Sequence, residues 1–459
     1  MLKCTKMKKM SGGKKVIGKN ILKKLVVLTL AFALVIPVNL RLVAAEDVLG
    51  VKADAAILVD SNSGKILFEK NSNTPLPIAS MTKMMSEYLV IDAVHNGKIS
   101  WDQKVTVSEY AHKISQNTGL SNVPLELGGK YTVKELYEAA AIYSANGATI
   151  ALAELVGGSE KNFVQLMNDK AKKLKLGEVK FVNATGLVNK DLQGMHPEGT
   201  SPSDENIMSA KGVAKLAYYL LNDYPEVLET SSIPKKIFQE GQKYPVRMEN
   251  WNWMLPGLVF EYQGMDGLKT GSTDSAGFCF TGTAERDGQR YISVVMGADS
   301  YNSRFSETAK LMDYGFSNFE KITLVEKGQA VKGNKTVKVI KGKEKEVNVV
   351  AKDSLTLAVK RGEGKNYKAQ IKLSGKNIDE DGNIIAPIKK NTKVGEIIVK
   401  SSNKDDLGFI TTSNEKAFDL VVDKDVEKAN WFVLTFRAIG SFFGNLWGSI
   451  VDGISGLFK

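Results

Sequence analysis

The chain has 459 residues, with 62 Lys and Arg against 51 Asp and Glu and a formal net charge of +11. That excess sits at one end: nine lysines (Lys3, Lys6, Lys8, Lys9, Lys14, Lys15, Lys19, Lys23, Lys24) and Arg41 precede the first acid, Glu46, and leave the rest of the chain near +1, so nucleic acid is excluded as an expected partner. With only His95, His112, His196, Cys4 and Cys279 available, a His/Cys metal cluster is not expected, nor is a disulfide within the chain once Cys4 is set aside with the basic leader.

Residues 1–45 read as a signal peptide: a basic stretch, a mostly apolar run from Leu25 to Ile36, Pro37, and the small-residue exit Val43-Ala44-Ala45. The run is shorter than the roughly 20 residues a spanning helix needs. Cleavage after Ala45 is expected, with an uncleaved N-terminal anchor as the alternative. Residues 46–324 mix strand and helix patterns. Ala55-Ala56-Ile57-Leu58-Val59 and Lys65-Ile66-Leu67-Phe68 flank a turn cluster at Asp60–Gly64 and read as a hairpin. Met81 to Val94 reads as a helix ended by Asn96-Gly97, and Thr132–Ser144 and Gly147–Leu155 as two helices with a break near Asn146-Gly147. Gly128-Gly129-Lys130 is followed by Tyr131, so no phosphate-cradling loop is present. Phe278–Thr283 and Tyr291–Gly297 read as a second hairpin, with Cys279 a buried strand residue. Strands at both ends with helices between predict an α/β (α+β) layer structure.

From 325 to 425 the texture changes to short alternating Val- and Lys-rich runs, such as Thr336-Val337-Lys338-Val339-Ile340, separated by Gly-containing breaks. This predicts a small all-β, sandwich-like domain with lysines facing solvent and no chemistry of its own. Residues 426–459 carry Phe432, Phe436, Ile439, Phe443, Leu446, Ile450, Ile454 and Leu457 at helical spacing. An amphipathic helix lying on a membrane surface is expected. Packing on the β domain and helix pairing through Gly440, Gly444 and Gly448 compete with that reading.

The chemistry concentrates in three short segments. Ser80-Met81-Thr82-Lys83 follows Pro75-Leu76-Pro77 and opens a helix, which sets Ser80 and Lys83 on one face, close enough for an amine to take the hydroxyl proton. A lysine serves as that base only when burial or a nearby cation lowers its proton affinity. The helix N-terminus also brings backbone N–H groups to where an oxyanion would form. Ser144-Ala145-Asn146 lies in the break between two helices, and Lys269-Thr270-Gly271 leads into a strand. Spacings like Ser80/Lys83 recur at Ser232/Lys235 and Ser401/Lys404, so order and placement carry the signal.

These three motifs, with Pro77–Lys83, Phe181–Leu187, Glu205–Ala210 and Asp266–Gly271, resemble the low-molecular-weight D-alanyl-D-alanine carboxypeptidases within the β-lactamase and penicillin-binding superfamily. The resemblance implies a β-lactamase/transpeptidase-like catalytic domain without cofactor or metal. It implies that Ser80 attacks the penultimate D-alanine carbonyl of a peptidoglycan pentapeptide and that Lys83 takes its proton. By the same resemblance Ser144 relays a proton to the departing D-alanine, and Asn146 orients the lysine and the substrate amide. Lys269 and Thr270 would meet the terminal carboxylate, Gly271 would let the substrate backbone lie close, and the N–H groups of Ser80 and Ser272 would form the oxyanion hole. Arg304 is weighed as a further carboxylate partner against an ordinary surface arginine, which is the preferred reading. Penicillin and other β-lactams are expected as acylating inhibitors, and the outer face of the bacterial cytoplasmic membrane as the location. One departure is Gly147, where the family usually has Asp. A β-lactamase is the rival, but no E-x-x-L-N-like segment separates the second and third motifs. A DD-endopeptidase on the same fold and a non-enzymatic peptidoglycan-binding module also stay open.

Overall fold

The computed structural model describes residues 47–411, 418–435 and 439, so the expected signal peptide and most of the expected amphipathic tail lie outside the described residues. Ala55–Asp60 (β1) and Ile66–Lys70 (β2) form the first hairpin, turned at Gly64 with φ +74°. Lys83–His95 (α1) follows a 3₁₀ turn at Ala79–Thr82. The helices Glu109–Ser115 (α2), Val133–Tyr143 (α3), Asn146–Gly157 (α4), Glu160–Lys173 (α5) and Ala210–Asp223 (α6) come next. Met265–Thr273 (β3), Gly277–Arg286 (β4) and Gln289–Ala298 (β5) then return to the sheet, covered by Tyr301–Asn318 (α7). The strands form one antiparallel sheet in the order β3-β4-β5-β1-β2, so the first and last segments of the domain pair directly, Ile57 opposite Val294. The α/β character expected from the sequence holds.

Sheet position explains why β1 is apolar along its whole length, since it is central and covered on both faces. Ile57 and Val59 join the core built with the helices, while Ala56 and Leu58 join a second core with Phe305, Leu311 and Met312 of α7. Cys279 is fully buried in β4. Helix α1 runs through the larger core, and Lys83 through Ile91 are all buried. Such a helix has no solvent face on which to place polar residues, so Lys83 and Glu87 within it call for a functional reason. Helix α3 opens with a capping box in which Glu135 N donates to Thr132 Oγ1 (3.1 Å) and Thr132 N donates to the Glu135 carboxylate (2.7 Å).

The C-terminal part is all β, as expected. Phe319–Val325 (β6) pairs with Leu355–Lys360 (β9), while Thr336–Ile340 (β7), Glu346–Ala351 (β8), Tyr367–Leu373 (β10), Ile384–Ile385 (β11), Lys393–Ser401 (β12) and Phe418–Val422 (β13) form a sheet ordered β10-β12-β13-β8-β7-β11. Their inward residues make a separate core of Val347, Val349, Leu355, Leu357 and Leu420 among others. A loop of this part lies along the first hairpin: Ile66 N donates to Gly408 O (2.9 Å), Ile410 N donates to Gly64 O (2.8 Å), and buried Lys65 pairs with Asp406 at 2.6 Å. Residues 431–435 are helical, with Trp431 and Phe432 exposed. No helix among the described residues is long and apolar enough to cross a membrane.

Candidate active site

The chain enters the site through an unusual residue. Ala79 has φ +46°, a conformation an L-alanine rarely adopts, and it turns the backbone sharply into the 3₁₀ turn that carries Ser80. In such a turn residues three apart eclipse, which stacks Lys83 over Ser80. Lys83 Nζ is 3.1 Å from Ser80 Oγ, 2.7 Å from Asn146 Oδ1 and 2.8 Å from the Thr185 carbonyl oxygen. The amide of Asn146 is oriented by its other end, where Nδ2 donates to Ser121 O (3.0 Å), so the oxygen faces the lysine. A neutral amine has two hydrogens for the two carbonyl acceptors, and its lone pair is left for the Ser80 hydroxyl. An ammonium can donate to all three. Both charge states therefore find partners.

Burial decides between those states. Lys83 is inaccessible to solvent, and its proton affinity falls well below the ordinary lysine range because of burial, with the nearby Lys269 lowering it further and Glu87 opposing. Lys269 is also buried and lowered, first by burial, against Glu87, and then by Arg304.

The other motifs close around this pair. Ser144 ends α3 in the left-handed region (φ +59°, ψ +29°), and its buried Oγ has no hydrogen-bond partner. The break predicted near Asn146-Gly147 thus falls at Ser144, and Asn146 begins α4. Lys269-Thr270-Gly271 lies within β3 and does not merely lead into a strand. Ser80, Ser144, Asn146, Thr270, Gly271 and Ser272 line one cavity of about 150 Å³. A larger cavity of about 570 Å³, between His112 and Tyr244, contains none of the motif residues. Lys269 and Lys83 stand behind the wall of the smaller one.

Three findings revise the sequence reading. Arg304 is not a surface arginine: it is 1% exposed, its guanidinium lies 4.8 Å from the Tyr301 ring and 4.7 Å from the Phe305 ring, it lines the cavity, and Nε has no partner. Burial lowers it to about 10, which leaves it cationic at neutral pH. Gly271 makes room for the protein's own backbone, since a Cβ there would stand 2.8 Å from Ile78 O and 3.0 Å from Ser80 N. Gly147 is where α4 crosses α2: a Cβ would come within 2.6 Å of Ser115 Cβ and 2.7 Å of Ala111 O, leaving no space for an aspartate.

Several contributing residues were not identified individually from sequence. Thr185 supplies the third partner of Lys83, and the two flanking segments hold it in place. Asn183 Oδ1 accepts from Thr185 N (3.0 Å) and Gly186 N (2.7 Å), and Asn206 Nδ2 donates to Asn183 O and Thr82 Oγ1, both at 2.9 Å. Buried Glu160 accepts from Ala184 N at 2.8 Å. Gly186 (φ +82°) presses on the strained turn, for a Cβ would overlap Ala79 O at 1.9 Å. Trp251 donates from Nε1 to Tyr143 O (3.1 Å) and forms another wall. Asparagines spaced along a loop were the available signal, but their partners are distant in sequence. Among the described residues no cluster could hold a metal ion.

A hydroxyl set against a buried amine beside the edge of an antiparallel sheet belongs to the class of serine-type hydrolases that use lysine in place of histidine. Known proteins narrow that class. The D-alanyl-D-alanine carboxypeptidase family matches residues 42–300, and the penicillin-binding protein 5 C-terminal domain matches residues 319–428. The D-alanyl-D-alanine carboxypeptidase DacF of Bacillus subtilis is 34% identical, over 85% of this chain and 90% of its own. DacC of Escherichia coli is 32% identical over 87% and 88%. The crystal structure of a peptidoglycan synthesis regulatory factor (PBP3) from Streptococcus pneumoniae superposes with a TM-score of 0.68 at 37% identity, covering 82% of this chain and 99% of that one. The chain belongs to the D-alanyl-D-alanine carboxypeptidase family, and it is a serine-type hydrolase of that activity.

Proposed function

We propose that Ser80 is the nucleophile and Lys83 its base in removal of the terminal D-alanine from peptidoglycan pentapeptide stems. The observation that carries this reading is the 3.1 Å approach of Ser80 Oγ to an amine whose other two partners are carbonyl oxygens. As Oγ attacks the penultimate carbonyl, its proton passes to Lys83 Nζ and an acyl-enzyme forms. The oxyanion then lies against the N–H groups of Ser80 and Ser272. Ser144, whose Oγ is free to turn toward the cavity, delivers a proton to the departing D-alanine, and Asn146 keeps the amine in register. The terminal carboxylate is held by positive charge from Lys269 and Arg304 and by the Thr270 hydroxyl, which supports a substrate with a free C-terminus over a cross-linked one. Water then releases the shortened stem.

The same reading makes Ser80 the site of acylation by β-lactams. Residues 1–45 act as an export signal, residues 46–324 as the catalytic domain and residues 325–425 as a spacer. Residues 426–459 hold the enzyme at the outer face of the cytoplasmic membrane, in keeping with the exposed Trp431 and Phe432. The test is paired. Incubation with penicillin should add one adduct to the intact mass, mapped to the Ser80 peptide and absent in Ser80→Ala, and the enzyme should release D-alanine from a pentapeptide. An unlabelled folded enzyme contradicts the Ser80 assignment; cleavage of cross-linked dimers at a comparable rate contradicts the preference for a free carboxylate.

A further inference from the structure

Glu87 is the buried charge that the reaction above leaves unused. It lies one helical turn beyond Lys83 in α1, at a spacing that puts both side chains on the same face. The two line one small enclosed cavity of about 10 Å³ together with Tyr137, Phe163 and Thr149. Glu87 is 5% exposed, and neither its Oε1 nor the Tyr137 hydroxyl has a hydrogen-bond partner. A buried carboxyl oxygen without a partner is destabilising, so this position calls for a reason beyond packing.

We infer that Glu87 is a positioning residue for the reaction, whose carboxylate is the counter-charge to the ammonium that forms on Lys83 when Ser80 is acylated. The inference rests on the Ser80–Lys83 reading above. In acylation the proton leaves Ser80 Oγ for Lys83 Nζ while the oxygen's electron pair forms the bond to the carbonyl carbon. A positive charge then stands where solvent cannot reach it, held at its near end by neutral oxygens only. Each titratable group facing this region has a place. Lys83 comes from α1 itself, Lys269 from β3, with Arg304 of α7 behind it, and Tyr137 from α3. Three of these are cations in their charged forms, and Glu87 is the single carboxylic acid that acts on the two lysines; of these groups Glu226 acts on Tyr137 only. Burial raises its proton affinity and the two lysines oppose that rise, while its charge favours the protonated form of Lys83. Lys269 offsets the carboxylate before the proton moves, and Lys83 shares it afterwards.

The experiment follows penicillin acylation against pH in the full chain, for wild type, Glu87→Gln, Glu87→Met and Glu87→Asp. Removing the charge takes away an interaction that favours protonated Lys83. The acid limb of the rate profile should therefore move to lower pH by about half a unit or more, with a plateau rate down roughly tenfold. Glu87→Asp should keep its limb near that of wild type. A limb unmoved in both neutral variants, or moved equally in Glu87→Asp, overturns the inference, even if the rate falls. If Glu87→Gln does not fold, Glu87→Met, which leaves no unpaired polar atom, carries the same comparison. Failure of wild-type enzyme to be acylated at Ser80 would instead overturn the reading on which the inference rests.

Discussion

The catalytic domain and the C-terminal β domain treat charge in opposite ways. Within the catalytic domain Lys83, Glu87, Lys269 and Arg304 are all buried, three of them drawn from different layers of the fold. Among the described residues beyond Val325, no charged side chain is buried, and the strands alternate between aliphatic interior and exposed lysine, as in Thr336–Ile340. The β domain follows the rule that burying charge is unfavourable. The catalytic domain breaks the rule in several places, Asp60, Lys65 and Glu160 among them, and beside Ser80 the unfavourable burial is what favours the neutral amine that can act as a base.

The largest effect should come from removing that exception. Lys83→Met should slow acylation by penicillin and D-alanine release by roughly 10³-fold, while thermal unfolding shows a stability close to wild type, since relieving the burial of the amine offsets the loss of its hydrogen bonds to Asn146 Oδ1 and Thr185 O. A large loss of stability would mean that Lys83 holds the fold together. The converse change in the other domain is Val349→Lys, which puts a charge in the aliphatic core where Val349 is fully buried. It should lower unfolding stability by about 3 kcal/mol or more, with kcat per folded molecule unchanged. An altered kcat would couple the two domains more closely than their contacts suggest. Smaller is Arg304→Ala, expected to raise KM for a substrate with a free carboxylate about tenfold and to change kcat less, as read from steady-state kinetics.

Local pattern made much of this legible. The two hairpins, the helix from Met81, the break near Asn146 and the alternation of the β domain follow from period and turn chemistry. Two of the three motifs could be placed because each sits at the boundary of an element, whereas Lys269-Thr270-Gly271 lies within a strand. What stayed hidden depends on contacts between remote segments. Arg304 looks like any exposed helical arginine until Tyr301, Phe305 and β3 surround it. Gly147 reads as a lost aspartate until Ser115 of another helix occupies the space. Gly271 reads as a substrate-facing glycine, and only the fold shows that the Ser80 turn also lies against it. Ala79 bears no mark of its strained backbone, because alanine is compatible with almost every ordinary conformation. Thr185 acts through its carbonyl, and a backbone oxygen leaves no trace in residue identity.

Burial of Lys83 is the central claim, and the pH dependence of Ser80 acylation by penicillin measures its result most directly. The rate should reach its plateau at a pH well below the ordinary lysine value of about 10.4 and fall on the acid side, because burial lowers the proton affinity of the amine. A rate still climbing steeply through alkaline pH up to that value would show a solvated, protonated lysine, and would contradict the account.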